Sequence, residues 1–141
     1  MPDPVLVGYD ALVGVELVTA TPDEVELRLS VGAAHHQPHG IVHGGVWCAL
    51  VETAASIGAS LWLGDRGDAV GVSNQTDFIR ALRTGVATAR AEPIHRGRQQ
   101  QLWTVVITDD AGRLVARGQV RVQNVRATSE LGGGPPGSSP P

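Results

Sequence analysis

The chain has 141 residues, 42% of them hydrophobic, and 14 acidic side chains against 11 basic ones give a net charge of −3 at pH 7. That is the size of one domain with an ordinary core, and the acidic balance does not indicate a broad basic face for nucleic acid, although the basic residues are all arginine and clustered arginines still hold phosphates locally. The single cysteine, Cys48, excludes an intrachain disulfide and fits a reducing compartment.

Met1-Pro2-Asp3-Pro4 has neither the positive region nor the apolar core of a secretory leader, which predicts a cytoplasmic protein. Residues 1–12 are weakly patterned and read as a short helix or arm. Val13 to Val18 and Glu24 to Leu29, the second strictly alternating, read as strands joined by a hairpin turn at Thr21-Pro22-Asp23.

Next comes a polar loop, His35 to Gly45, leading into a long apolar stretch. Pro38 and Gly40 prevent helix in the loop, whereas Val46 to Leu63 contains no proline and only Gly58, so a helix is predicted to begin near His43 to Gly45. Its length is about 18 to 20 residues, or roughly 27 to 30 Å. One face runs through Val46, Leu50, Thr53, Ile57 and Leu61 and alanines fill much of the rest, so burial is expected nearly all round. The alanines and the central Glu52 argue against a membrane span.

Gly64-Asp65-Arg66-Gly67-Asp68 closes the helix, and strands follow at Ala69 to Arg80, Gly85 to Ile94 and Gln101 to Thr108. Asp109-Asp110-Ala111-Gly112 is a tight turn before a last strand, Arg113 to Val125. Four strands in a row after one helix leave no helical crossovers, which predicts an α+β fold with a mostly antiparallel sheet wrapped around a single helix. From Ala127 the composition turns to glycine, proline and serine, so residues 1–126 are read as the domain and 127–141 as a flexible tail.

Glu52 is the one carboxylate within the apolar helix, and burying it unpaired would cost several kcal/mol, so it needs either a partner such as an arginine or a chemical task. Ser56 and Cys48, four residues either side, share its face; Cys48, with no evident base beside it, reads as inert packing. Gly44 and Gly45 leave the helix N-terminus without side chains, so its free N–H groups can approach an oxygen closely and form half of an oxyanion hole. Gly44 and Glu52 are eight residues apart, about 12 Å along a helix axis, too far for one helix to deliver both groups to one carbonyl. If both serve one reaction, the site is shared between two copies of the chain.

The histidines at 35, 39 and 43 would align as metal ligands only on a continuous helix, which Pro38 and Gly40 forbid, so no metal is predicted. His43 reads as a capping or loop-orienting residue, or as one that touches substrate. Trp47, Trp62 and Trp103 read as core or interface aromatics. The strand end Asp77-Phe78-Ile79-Arg80 belongs either to a pocket wall or to the core, and Arg96 and Arg98 either to a solvated turn or to a ligand site.

Gln37-Pro38 with Gly40, His43-Gly44-Gly45, Glu52, Ser56, Gly71, Arg80, Gly85, the segment Pro93-Ile94-His95-Arg96-Gly97-Arg98-Gln99 and Asp110-Ala111-Gly112-Arg113 stand in an order and spacing that resembles the hotdog-fold acyl-CoA thioesterases. The resemblance spans roughly residues 10 to 125 and is strongest to the group containing phenylacetate-pathway and 1,4-dihydroxy-2-naphthoyl-CoA thioesterases. It implies that Gln37 and the Gly44 N–H polarise a thioester carbonyl, that Glu52 of the partner subunit acts as nucleophile or general base, and that Ser56 places water. It sets His43 at the catalytic loop-to-helix position, and Arg96, Gly97 and Arg98 along the coenzyme A arm, with Gly45, Phe78, Arg80 and His95 as further substrate contacts. Phe78 departs from the histidine that some naphthoyl-CoA hydrolases have there, which weakens the case for a hydroxylated aromatic acyl group. The implied assembly is a homodimer at least, and a homotetramer built as a dimer of dimers; no cofactor is implied, since coenzyme A is part of the acyl-CoA substrate. A non-catalytic acyl-CoA or ligand-binding hotdog module is the alternative, while a hotdog hydratase would need an Asp and His pair on a loop that this sequence lacks.

Overall fold

The computed structural model describes residues 4–126. The Gly/Pro/Ser-rich segment from Ala127 onward, predicted as a flexible tail, lies outside the described residues. In chain order the elements are α1 (Tyr9–Val13), β1 (Val15–Ala20), β2 (Val25–Val31), α2 (Gly44–Leu63), β3 (Gly67–Phe78), β4 (Gly85–Arg96), β5 (Gln100–Thr108) and β6 (Leu114–Arg126), with single 3-10 turns at Ala33–His35 and Gly64–Arg66. The six strands form one sheet in the order β1-β2-β4-β5-β6-β3, every neighbouring pair antiparallel, and α2 packs against all six. This is the predicted α+β hotdog architecture.

Alternation builds the inner face. Val25, Leu27 and Leu29 of β2, Ala87, Ala89 and Ala91 of β4, and Trp103, Val105 and Ile107 of β5 are fully buried, whereas Arg28, Ser30, Arg90 and Val106 between them face outward and are exposed. The β4 alanines leave room for α2, whose buried stripe is itself small at Ala54, Ala55, Gly58 and Ala59. Gly58 sits on the Trp103 ring, where an added Cβ would lie 2.6 Å from two ring carbons.

The helix differs from the sequence reading in its burial. Its buried residues are Val46, Trp47, Leu50, Val51, Ala54, Ala55, Gly58, Ala59 and Leu63, so Thr53, Ile57 and Leu61 fall beside the core stripe and are half-buried. Cys48, Glu52 and Ser56 form a half-buried row on the other flank. One sheet covers only one side of a helix, and an alanine-rich composition hides which side that is. By length and composition α2 with the turn after it could span a membrane, but here it is the core helix of the sheet.

At the sheet edge, β3 has 12 residues and none is buried; among the described residues it pairs with β6 alone, so its other side presents backbone N–H and C=O groups with no strand partner there. Its register with β6 shifts between Gly71 and Ser73, leaving Val72 as an extra, exposed residue.

The predicted turn at Asp109 is built around its carboxylate, which is 7% exposed. Oδ1 accepts from the N–H groups of Arg113 (2.9 Å) and Ala111 (3.0 Å), and Oδ2 accepts from Arg113 Nε (2.8 Å). The Arg113 backbone N–H, with its guanidinium and the Ala111 N–H, holds the carboxyl below its ordinary value against the opposing effect of burial. A depressed folded-state pKa contributes stability that is present above the unfolded value, about 3.9, and is lost as pH falls through the folded one. Asp109→Asn is therefore expected to lower the urea midpoint at pH 7, with the gap from wild type narrowing as the pH is taken below about 4; an equal gap at both pH values would show that the ionised form contributes nothing.

Candidate active site

The loop before α2 is braced from three sides. His35 Nδ1 accepts from Gly32 N–H (2.9 Å) and its Nε2 donates to Val13 O (2.6 Å), while His36 Nε2 donates to Arg83 O (2.6 Å). Arg83 Nη1 donates to the carbonyls of His39 (3.0 Å) and Gly40 (3.2 Å), and Val42 N–H donates to Leu82 O (2.9 Å). Gly40 turns the chain at φ 73°, close against that guanidinium. The loop is thus fastened to the β3–β4 connection.

Two backbone bonds, Gln37 N–H to Ile41 O (2.8 Å) and Gly40 N–H to Gln37 O (2.9 Å), fix Gln37 in this loop. Its side-chain Oε1 accepts from His39 N–H, which leaves the amide NH2 as the group available for a ligand. His43 is the N-cap of α2, with Nδ1 accepting from Gly45 N–H at 2.8 Å, the capping role the sequence allowed it. Gly45 is exposed but its N–H is used, whereas the Gly44 N–H donates to no protein group among the described residues.

Gln37, Gly44, Trp47, Phe78 and Arg80 line one cavity of about 260 Å³, together with Ile41, Val42 and Ala81. The Phe78 ring lies so close over Gly44 that any Cβ there would collide with it, which explains a glycine at this position. Phe78 itself is 57% exposed, and Arg80 stands exposed just past the strand end. The wall reading of Asp77-Phe78-Ile79-Arg80 therefore holds for Phe78 and Arg80.

Glu52 is elsewhere. Among the described residues it does not line that cavity and is paired with no arginine. Its Oε2 accepts from Asn74 Nδ2 of β3 at 3.2 Å, and Ser56 sits half-buried one turn further along α2. Next to it Thr53 Oγ1 donates to Asp10 Oδ1 (2.6 Å), which fastens α1 to the helix.

The remaining candidates gather at the far end of α2. Arg96, Gly97 and Arg98 line a cavity of about 690 Å³ with Trp62, Arg66 and Arg126, and His95 and Arg98 border an adjoining cleft of about 540 Å³. Arg96 is already committed, donating from Nη1 to Asp23 Oδ1 and Pro22 O, both at 2.8 Å, and lying 5.5 Å from the Trp62 ring centre. Arg66 stacks on the same ring at 4.4 Å and donates to the last carbonyls of α2. Trp62 is thus a half-buried platform for two guanidinium groups instead of a core residue. Arg98 is exposed and has no ion pair among the described residues.

Comparison with known proteins settles what this architecture is. The profile of the thioesterase superfamily matches residues 39–116, from within the Gln37 loop through α2 and into β6. The chain belongs to the thioesterase superfamily. Rv1847 of Mycobacterium tuberculosis is 48% identical over 126 residues, covering 87% of this chain and 90% of that protein, and its solved structure superposes with a TM-score of 0.84. The crystal structure of AziG from S. sahachiroi, 51% identical, covers 86% of this chain and 99% of that one with a TM-score of 0.85. A 1,4-dihydroxy-2-naphthoyl-CoA hydrolase of Listeria monocytogenes is 34% identical over 108 residues, 77% of this chain and 88% of that protein. The group named from the sequence is therefore the right one, and thioester hydrolysis is the reaction class of this thioesterase family.

Within the thioesterase chain, sequence reasoning overlooked Asn74 and Arg83. Asn74 lies in a polar run, Ser73 to Thr76, that reads as solvent-facing, and the only signal was that such a run is unusual for a strand packed on a core helix. Arg83 acts on a loop more than 40 residues away, which no local pattern encodes.

Proposed function

We propose that this thioesterase hydrolyses an acyl-CoA to a free acid and coenzyme A at sites shared between two subunits. The observation that carries the reading is the unclaimed Gly44 N–H beside the free Gln37 amide, at a partly apolar cavity lined by no carboxylate among the described residues of its own chain. As the thioester carbonyl is attacked, negative charge grows on its oxygen, where two fixed donors are worth most; losing one typically costs about 3 to 4 kcal/mol. Glu52 of the partner subunit attacks the carbonyl carbon or takes a proton from the attacking water, with Ser56 placing that water. The C–S bond breaks, the hydroxyl ends on the acyl carbon and the proton on the departing thiolate. Thiolate leaves readily, so one carboxylate suffices without a His-Asp relay. No cofactor takes part. His43 holds the helix start, Gly45 gives it clearance, and Phe78 and Arg80 contact the acyl end. The phosphates of coenzyme A are assigned to Arg98 and its neighbours His95, Arg96 and Gly97, with Arg96 acting through its fixed place beside Trp62.

The open 12-residue edge of β3 supports a homodimer at least, since a second strand would satisfy its backbone groups. A tetramer of two such dimers in the cytoplasm completes the proposal. Complementation tests it. Glu52→Gln and Gln37→Ala chains, each inactive alone, are expected to regain thiol release when co-expressed, because one site of each mixed dimer receives both native groups. Failure to regain activity in a purified mixed dimer would place the whole site in one chain. A thiol-release screen over benzoyl, phenylacetyl, hydroxynaphthoyl and fatty acyl-CoAs identifies the acyl group, and saturable binding without release of thiol from any of them would make the protein a binding module.

A further inference from the structure

We propose that Gly71, Asn74 and Thr76 of β3 form a positioning device that seats and aims the Glu52 carboxylate, an inference that rests on the catalytic reading of Glu52. Asn74 uses all its near-range capacity on this task. One amide N–H goes to Glu52 Oε2 (3.2 Å) and the other to the Cys48 carbonyl of α2 (3.0 Å), while Oδ1 accepts from the Thr76 hydroxyl at 2.7 Å. Turning the amide over would set Oδ1 against two groups that can only accept, Glu52 Oε2 and the Cys48 carbonyl, so those two fix which face of Asn74 meets the carboxylate, and the Thr76 hydroxyl holds Oδ1 from the other side. On the other side, Glu52 Oε1 lies against Gly71 so closely that any Cβ at 71 would overlap it.

The bulge makes this arrangement available. In a regular strand residues 71 and 74, three apart, point to opposite faces of the sheet. The extra residue Val72 shifts the register between Gly71 and Ser73, so that Gly71, Asn74 and Thr76 stand opposite Val122, Val120 and Gly118 of β6. Val120 and Val122 are fully buried on the helix side, which puts all three β3 residues on that side too. Gly118 completes the seat: a Cβ there would lie 2.6 Å from both Thr76 Oγ1 and Val51 Cγ1, so its absence leaves space for the hydroxyl.

Nothing in this set reaches the Gln37–Gly44 cavity, so its members act through Glu52 and not on substrate. The test compares Asn74→Leu and Thr76→Val, each matching the native side chain in branching and number of heavy atoms, with Thr76→Ser and Glu52→Gln. A misplacement of about 1 Å in a catalytic group costs on the order of 100-fold in rate, so kcat is expected to fall about 10- to 100-fold in Asn74→Leu and less in Thr76→Val, with KM within about twofold. Thr76→Ser, which keeps the hydroxyl, is expected to restore kcat. A merely structural role would lower Tm and leave kcat per folded molecule and its split from KM unchanged. Native kcat in folded Asn74→Leu or Thr76→Val, alongside an inactive Glu52→Gln, would overturn the positioning role and leave the function standing; should Asn74→Leu fail to fold, the near-isosteric Thr76→Val decides. Full activity in Glu52→Gln would instead overturn the catalytic reading itself.

Discussion

Glu52→Gln is expected to lower kcat for thioester hydrolysis by about 10²- to 10⁴-fold, the range ordinarily contributed by a positioned acid or base, while leaving the fold intact. Glutamine keeps the length and shape of the side chain, and its carbonyl can still accept from Asn74 Nδ2, which lies 3.2 Å from Glu52 Oε2. What disappears is the charge. The half-buried row of Cys48, Glu52 and Ser56 offers no second carboxylate to replace it, and the five described salt bridges all lie elsewhere. Steady-state rates with an acyl-CoA that the native protein turns over, measured beside a thermal melt, check both halves of the expectation. A loss of less than tenfold in a well-folded protein would remove Glu52 from the reaction.

The largest expected loss of stability comes from Trp103→Ala, at about 3 to 5 kcal/mol. Trp103 is fully buried, and its ring is the surface on which Gly58 of α2 rests. Its Nε1 donates to Gln101 Oε1 (2.8 Å), and Gln101 in turn donates to Ala59 O and Asn124 Oδ1, so the indole also completes a buried polar chain joining helix and sheet. Removing it opens a cavity and leaves the oxygen of a side chain only 1% exposed without a partner. A loss of that size is a large part of an ordinary domain's stability, about 5 to 15 kcal/mol. Urea unfolding should show a lower midpoint with an unchanged slope; a shift worth under about 1 kcal/mol would mean that neighbouring side chains close the space.

Much of this fold was legible in the sequence because its signals are local. Pro38 and Gly40 stop helix formation, the unbroken run after Gly45 sustains it, and alternation in Val25 to Leu29 marks a half-buried strand. Within the candidate site the bare helix start at Gly44 and Gly45 was legible for the same reason, while Gln37, which lines the same cavity as Gly44, was pointed to by the family resemblance. The rest depends on contacts that sequence order conceals. The Val72 bulge reverses which β3 residues face the helix, so a period of two assigns Gly71 and Asn74 to opposite faces. Arg96 is drawn to Asp23 across more than 70 residues, and α2 buries a stripe displaced from Thr53 and Ile57 because the twisted sheet sets the line of contact.

The seat of Gly58 on Trp103 has a mechanical consequence. A glycine notch over a flat ring behaves like a detent on a shaft: the helix can neither roll nor slide without climbing the indole. Glu52 lies six residues before that notch, about 9 Å along the axis, so substitutions beneath the notch would re-aim the acid before they unfold the protein. Heating such variants should cost turnover at temperatures where the far-ultraviolet spectrum still reports an intact helix.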